Sequence, residues 1–440
     1  MITPTPSDSP KNWQSSDPLA SSGSGAWGCR GDRVRADRVV TILITGLSTR
    51  AIAESAVQGG YRVVTLDYFG DRDQKELVAN YSLMRDSRLN FGAKALLVAS
   101  RNLSFQAVVY TSNLENHPDV VEDLARGRVL LGNSPSTLRQ VRDSGHLRSV
   151  CRREDIAHPV TLLPGEESLA EGVGCWVSRP SRSGGGHGIR PWAGELLDED
   201  HVLQAYVQGR PASAAFVADG RSCVLLGLTE QLIGRRELGA QGFIWCGNIL
   251  SLSVPASERR AVLGSVRATA ENLTRTYGLR GVNGVDFVLG RDESGRPVPY
   301  LLEVNPRYSA SMELVEWAYG LSIFDLHVRS FSGDLPSFSL EDHVRQPGFY
   351  GKAIVYARED VVLPETAGWR AKQRRDIPFP GEQIEARRPI CTVLAQGESR
   401  DDCWRRLLGA AEAVYRELTS SGGGCRDNLE AGARPVPRVL

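Results

Sequence analysis

Two acidic residues and an amide near the middle of the chain fall in a pattern that suits a hard divalent cation. Val282-Asn283-Gly284-Val285-Asp286-Phe287-Val288-Leu289 reads as one strand, 290–296 as a polar turn, and 298–307 as a second strand. Residues two apart on a strand share a face, so Glu303 and Asn305 point one way with Leu302 and Val304 opposite. Asp286, on the other arm of this hairpin, can face them. Oxygen-only donors of this kind suit Mg²⁺ or Mn²⁺, with phosphate oxygens and water completing the octahedron. Charged residues at strand ends are commonly solvated, but Glu303 lies in an apolar run, where an unpaired carboxylate is costly. Arg307, two residues past Asn305, falls on the same side and can stabilise charge on a transferring phosphoryl or acyl phosphate group.

A second segment, Trp176-Val177-Ser178-Arg179-Pro180-Ser181-Arg182-Ser183-Gly184-Gly185-Gly186-His187-Gly188-Ile189, is an apolar strand that runs through a basic residue into a glycine loop. Gly184, Gly185, Gly186 and Gly188 let backbone N–H groups approach an anion and tolerate positive φ. Arg179 would then neutralise an α- or β-phosphate from the strand end. The plainer reading is a glycine-rich hairpin without a ligand. Further on, Gln204-Ala205-Tyr206-Val207 is a strand that breaks into a turn. Ala214 to Ala218 and Cys223 to Leu228 form a hairpin around Asp219-Gly220.

The elements that must hold these residues begin at Arg38. Val39 to Ile44 is a buried-strand run, 50–59 is helix-like, and Tyr61 to Asp67 is a second strand. This β-α-β start predicts a parallel sheet flanked by helices, with Ala107 to Tyr110 and Val129 to Gly132 as further strands. The first turn lacks G-x-G-x-x-G, which argues against a dinucleotide site and leaves a structural domain, with a substrate pocket at its strand ends as an option. After residue 335, Tyr350 to Tyr356 and Ile390 to Leu394 are strand-like, and Cys403 to Leu418 has helical spacing.

Composition narrows the class. Lys+Arg and Asp+Glu are 52 each, which gives no global field toward nucleic acid or an anionic membrane. No apolar run reaches the roughly 18 residues of a membrane span. The eight cysteines show no metal-like spacing, which fits a reducing cytoplasm, and the histidines are too scattered to suggest a metal site. Only five lysines occur, none between Lys94 and Lys352, so phosphate-binding positions in between must use Arg.

Taken together, these motifs stand in the order of the ATP-grasp superfamily, and the chain resembles its biotin carboxylase, carbamoyl-phosphate synthase and D-alanine–D-alanine ligase branches over about residues 40–335. Glu303-Val304-Asn305-Pro306-Arg307 with Asp286 looks like the family's magnesium ligands and active-site arginine. Arg179-Pro180 and its glycines resemble the family's Lys-Pro strand end and phosphate-covering loop. Gln204, Tyr206 and Val207 fall in the segment similar to the adenine hinge, usually Glu-x-aromatic-aliphatic. The resemblance implies an α/β and α+β architecture with an N-terminal parallel-sheet domain at 38–148, a two-lobed ATP-grasp domain at 149–335 and a small α+β domain at 336–420. Ser-, Pro- and Gly-rich composition marks a disordered tail at 1–37 and a flexible tail at 421–440.

It also implies ATP and Mg²⁺ (or Mn²⁺) as cofactors, a small-molecule carboxylate and an amine as partners, and no role for nucleic acid or membrane. A homodimer is the assembly it leaves open. Arg stands for the family's Lys at 179, Gln for its Glu at 204, and a further Lys near Asp143-Ser144 is missing, although Arg142 and Arg148 are close. The phrases 182–190 and 305–313 resemble a carboligase group related to the tyramine–glutamate ligase of methanofuran biosynthesis, which points to glutamate addition in the synthesis of a one-carbon carrier. A carboxylase using bicarbonate and an ATP sensor without turnover are the alternatives.

Overall fold

Runs rich in Val, Ile and Leu, apolar on both faces, build the first sheet. Ile42–Thr45 (β1) and Val63–Asp67 (β2) pair in parallel, Ala79–Ser82 (β3) adds beyond β2, and Ala107–Tyr110 (β4) and Val129–Leu130 (β5) add on the other side. The order is β3-β2-β1-β4-β5. Covering helices explain why β1 and β4 are buried on both faces. The structure is a computed structural model and describes residues 40–170, 174–343 and 348–421. The expected tails at 1–37 and 421–440 lie outside the described residues, except that Ser421 ends the last helix.

A small antiparallel sheet follows, from Thr161–Leu162 (β6), Trp176–Pro180 (β7), Arg190–Pro191 (β8) and His201–Ala205 (β9), in the order β6-β9-β7-β8. Its core is Leu162, Ala170, Trp176 and Leu203. The large sheet contains Arg210–Asp219 (β10), Cys223–Ile233 (β11), Trp245–Leu250 (β12), Arg280–Arg291 (β13), Pro297–Asn305 (β14) and Phe349–Tyr356 (β15). Of the remaining strands, Val361–Val362 (β16) and Gln383–Ile384 (β18) form a separate pair. Arg374–Arg375 (β17) and Pro389–Gly397 (β19) complete the large sheet, whose order is β14-β13-β10-β11-β12-β15-β19-β17. β15 pairs with β12, so the sheet that carries the β13–β14 hairpin runs on into segment 336–420. The 22-residue helix Ala256–Tyr277 packs on one face of this sheet and Arg400–Ser421 packs on its C-terminal strands. Among the described residues no helix is long and apolar enough to cross a membrane.

Polar cores also join the parts. Arg50, at the start of the helix Arg50–Gln58, is 2 % exposed and pairs with Glu54, Glu313 and Asp376, while Lys352 on β15 reaches Glu313 from the other side. Burial by itself would push the Glu313 carboxyl up, but Arg50 and Lys352 outweigh it and hold that carboxyl well below the usual range.

Glu316, one turn further along the helix Met312–Tyr319, behaves oppositely. Its partners are neutral, the Ser55 hydroxyl at 2.7 Å and the Ile323 N–H at 3.1 Å, and burial pushes its carboxyl up to about 7. A raised carboxyl favours the folded state below its unfolded value near 4.3, and this advantage is lost as pH rises through about 7. Relative to wild type, Glu316→Gln is therefore expected to gain on the order of 2–3 kcal/mol between pH 5 and pH 8. Urea unfolding at the two pH values checks this; an unchanged difference would refute it.

Candidate functional site

The candidate site begins with the register of β13 against β14. Asp286 lies directly opposite Glu303, and Gly284 opposite Asn305. The next pair is Phe287 with Leu301, so Leu302 is an extra residue in a β-bulge. The bulge corrects the simple alternation expected for this strand. Val304 enters the core as expected, but Leu302 does not mirror it: it remains partly exposed, and its carbonyl faces the site. Leu301 packs in the core although it shares odd numbering with Glu303. The bulge re-aims Glu303 toward the site.

Around these residues the side chains interlock. Asn305 Nδ2 donates to Asp286 Oδ2 at 2.9 Å, and Gln231 Nε2 donates to Asp286 Oδ1 at 2.9 Å. Arg142 Nη1 lies 3.1 Å from Glu303 Oε1 and Arg179 Nη2 lies 3.2 Å from Glu303 Oε2. Arg179 Nη1 also donates to the Leu302 carbonyl at 3.1 Å. Arg307 Nη2 donates to Asn305 Oδ1 at 3.2 Å, and Arg307 Nε donates to Glu115 Oε1 at 2.8 Å. Burial, and then the facing Glu303, hold the Asp286 carboxyl above the ordinary carboxylate range. Burial acts the same way on Glu303, but Arg142 and Arg179 outweigh it and bring that carboxyl below its usual value.

The glycine loop lies over this cluster. Gly185, Gly186 and Gly188 have φ of +65°, +80° and +76°. The Trp245 N–H donates to the Gly185 carbonyl at 2.9 Å, and Arg142 Nη2 donates to the Ser183 carbonyl at 3.2 Å, so the loop is held from both sides. A Cβ on Gly186 would run into the Phe243 carbonyl. Gly184 is exposed on the same loop.

All of this opens on one cavity of about 1340 Å³, lined by residues of the small and the large antiparallel sheets and by strand-end loops of the first sheet. Tyr206 and Val207 line it too, with Tyr206 51 % exposed. Gln204 is buried, and its amide donates to Thr161 Oγ1 at 3.1 Å. The Tyr206 N–H is engaged by the Cys175 carbonyl at 2.8 Å. The structure thus gathers Arg179, Gly184, Gly185, Gly186, Gln204, Tyr206, Val207, Asp286, Glu303, Asn305 and Arg307 around one cavity, whose lining does not include Gly188.

Three further residues join the cluster. Arg142 left a trace in the sequence, as a basic residue beside Asp143 where the resemblance implies a Lys, whereas Arg148 pairs with Glu166 instead. Gln231 and Glu115 left none, because each comes from a distant strand or loop and carries no motif. His201 lies beside Asp198 and Asp200, although the histidines gave no metal signal in the sequence; that group faces solvent, where acidic clusters are common without an ion.

The donor set fits a hard divalent cation. Two facing carboxylates and an amide oxygen lie within one largely buried cluster, and the share of the upward push on Asp286 that comes from Glu303, after that of burial, is repulsion that a cation between the carboxylates would relieve.

A family model described as "ATP-grasp domain" matches residues 153–311. The carbamoyl phosphate synthase large chain of Kineococcus radiotolerans is 27 % identical over 227 residues, covering 47 % of this chain and 19 % of that one. The chain therefore spans about a fifth of the length of that relative. Among solved structures, the biotin carboxylase–β,γ-ATP complex from Campylobacter jejuni has a TM-score of 0.63 at 16 % identity, covering 87 % of this chain and 92 % of that one. The L-amino acid ligase from Bacillus licheniformis has a TM-score of 0.60 at 16 % identity, covering 88 % and 98 %. The chain has the ATP-grasp fold with an N-terminal parallel sheet, as expected from its motifs.

Proposed function

We propose that this chain is an ATP- and magnesium-dependent ligase that activates a carboxylate as an acyl phosphate for attack by an amine. The observation that carries this reading is the single cluster of Asp286, Glu303 and Asn305 with three guanidiniums, Arg142, Arg179 and Arg307, beneath a glycine loop. Asp286, Glu303 and Asn305 would hold Mg²⁺, which when bound supplies charge neutralisation on the phosphates. Arg179 and Arg142 supply positive charge for the phosphates, and the backbone N–H groups of Gly184 to Gly188 cover them. Gln204, Tyr206 and Val207 form the adenine edge of the cavity.

In the first step a carboxylate oxygen of the acid bonds to the γ-phosphorus of ATP and ADP leaves. In the second, an amine nitrogen bonds to the acyl carbon, phosphate leaves, and the nitrogen loses a proton. Arg307, held by Asn305 and Glu115, stabilises charge on the transferring group. Alignment and charge carry such a reaction, so no covalent nucleophile on the chain is required. Glutamate is the acid suggested by the resemblance, as a donor in one-carbon-carrier synthesis.

ADP release with glutamate and other carboxylates, each with and without a panel of amines, tests the proposal. Turnover that needs bicarbonate and biotin instead would sink it in favour of a carboxylase. ADP binding with no turnover on any acid would leave the sensor reading.

Gly186→Ala is expected to weaken MgADP binding by about tenfold or more, because the added Cβ meets the Phe243 carbonyl and the φ of +80° disfavours any side chain. Calorimetric titration with MgADP checks this, and unchanged affinity would take the loop out of nucleotide binding.

A further inference from the structure

The order of the first sheet reverses at β1, which lies between β2 and β4, and ligands of open α/β sheets seat beyond the carboxyl ends of the strands at such a point. Here that crevice opens into the large cavity. Leu47 follows β1, Phe69 and Asp71 follow β2, and Asn113 and Glu115 follow β4, and all of them line the wall. Backbone hydrogen bonds tie the three loops together: the Leu47 N–H donates to the Ser112 carbonyl, and the Tyr68 N–H donates to the Leu47 carbonyl at 3.2 Å.

Glu115 is 3 % exposed, and only one of its oxygens is satisfied. Oε1 takes Arg307 through Nε at 2.8 Å and Nη2 at 2.7 Å, whereas the buried Oε2 has no hydrogen-bond partner. A buried carboxylate oxygen without a donor is costly, and an ammonium group carries three donors.

The charges on this side of the cavity restrict what else the ligand can bear. Arg50 is engaged with Glu54, Glu313 and Asp376, Lys352 with Glu313, and Arg307 with Glu115. A carboxylate or phosphate on the ligand would meet cations that already have counter-charges. Arg182, exposed on the glycine loop, approaches from the nucleotide side, near enough to act on His117. Besides Asp71, Asn113 and the hydroxyl residues Ser48, Thr111 and Ser112, the crevice has an apolar side. Leu47, Phe69 and Phe91 line it, and the Tyr68 ring packs edge-on against Phe69 and Phe91 with centroids 5.1 and 6.1 Å away.

We propose that this crevice seats the attacking nucleophile, that the nucleophile is a primary amine on an apolar body with neither carboxylate nor phosphate, and that Glu115 Oε2 receives its ammonium form. The proposal rests on the ligase reading above, which puts the activated acyl group beside Arg307.

Calorimetric titration of the full chain with pentylamine, norleucine and hexanoate tests it. Norleucine is pentylamine with a carboxylate on the amine-bearing carbon, and hexanoate has a carboxylate in place of the ammonium. Pentylamine is expected to bind at least about tenfold more tightly than norleucine, with no detectable hexanoate binding. Glu115→Gln should weaken pentylamine by about tenfold. Phe91→Ala, on the apolar side, should weaken pentylamine several-fold and leave methylamine unchanged, which keeps the test decisive if the Glu115 variant does not fold. Equal binding of pentylamine and norleucine, binding of hexanoate, or full pentylamine affinity in Glu115→Gln would overturn the proposal. A parallel MgADP titration separates the two readings: MgADP binding without amine binding rejects the acceptor site alone, and loss of MgADP binding in wild type rejects the ligase.

Discussion

Glu303→Gln is expected to lower ADP formation by ~10³-fold, since a metal-stabilised transferring group loses several kcal/mol with its ligand charge and each ~1.4 kcal/mol is tenfold. Glutamine keeps the shape of the side chain and removes only its charge. That charge does two jobs in the structure: it faces Asp286 across the β13–β14 register, and it neutralises Arg142 and Arg179 at 3.1 and 3.2 Å. The variant should therefore fail in two measurable ways. Added Mg²⁺ and ADP should raise the melting temperature of wild type and have little effect on the variant. The ligand-free variant should also be less stable, because two buried guanidiniums lose their counter-ion. Single-turnover ADP release checks the first point, and a rate within threefold of wild type would show that the cation is held elsewhere.

The second large effect is on stability. Arg50→Met is expected to cost ~3–5 kcal/mol, the usual penalty for removing one partner of a buried ion cluster. Arg50 is 2 % exposed, with Nε 3.0 Å from Asp376 and Nη1 3.1 Å from Glu54, and it also pairs with Glu313. Lys352 would remain on Glu313, and Thr392 on Asp376, but Asp73 would keep only the backbone N–H groups of Asp376 and Ile377. Adding Asp376→Asn to Arg50→Met should recover part of the loss, since it removes one uncompensated carboxylate. Urea unfolding of the single and double variants measures both effects. A loss below about 1 kcal/mol for Arg50→Met, in the range of exposed pairs, would mean that the cluster is effectively solvated.

These two residues also differ in how readable they were. Glu303 was visible because its neighbours in sequence are its neighbours in the site: Asn305 and Arg307 follow at strand spacing, and Asp286 lies on the adjoining arm of one hairpin. The glycine loop was visible for the same reason, as an uninterrupted stretch. Arg50 carried no signal. Its partners are at positions 54, 313 and 376, and a lone arginine at a helix start reads as a solvated charge.

The bulge at Leu302 was equally hidden. Strand periodicity assigns faces by counting two residues at a time, and one inserted residue changes the count on either side without altering composition. Gln204 shows a subtler limit. Its place on the hinge strand was readable, but the turn of its amide to Thr161 was not, because Thr161 reaches it only through the pairing of β6 with β9.

By itself, then, the sequence determined the donor types, their local spacing and the parallel start of the chain, since strand alternation, glycine loops and β-α-β order are encoded over short distances. The tertiary structure alone decided that Gln231 and Glu115 join those donors, that Arg142 does so rather than Arg148, and that Glu115 keeps one oxygen without a partner at the strand ends. The physical reason is that charge and hydrogen bonding act through space over a few ångströms, whereas the chain brings these residues together across 55 to 192 positions of sequence.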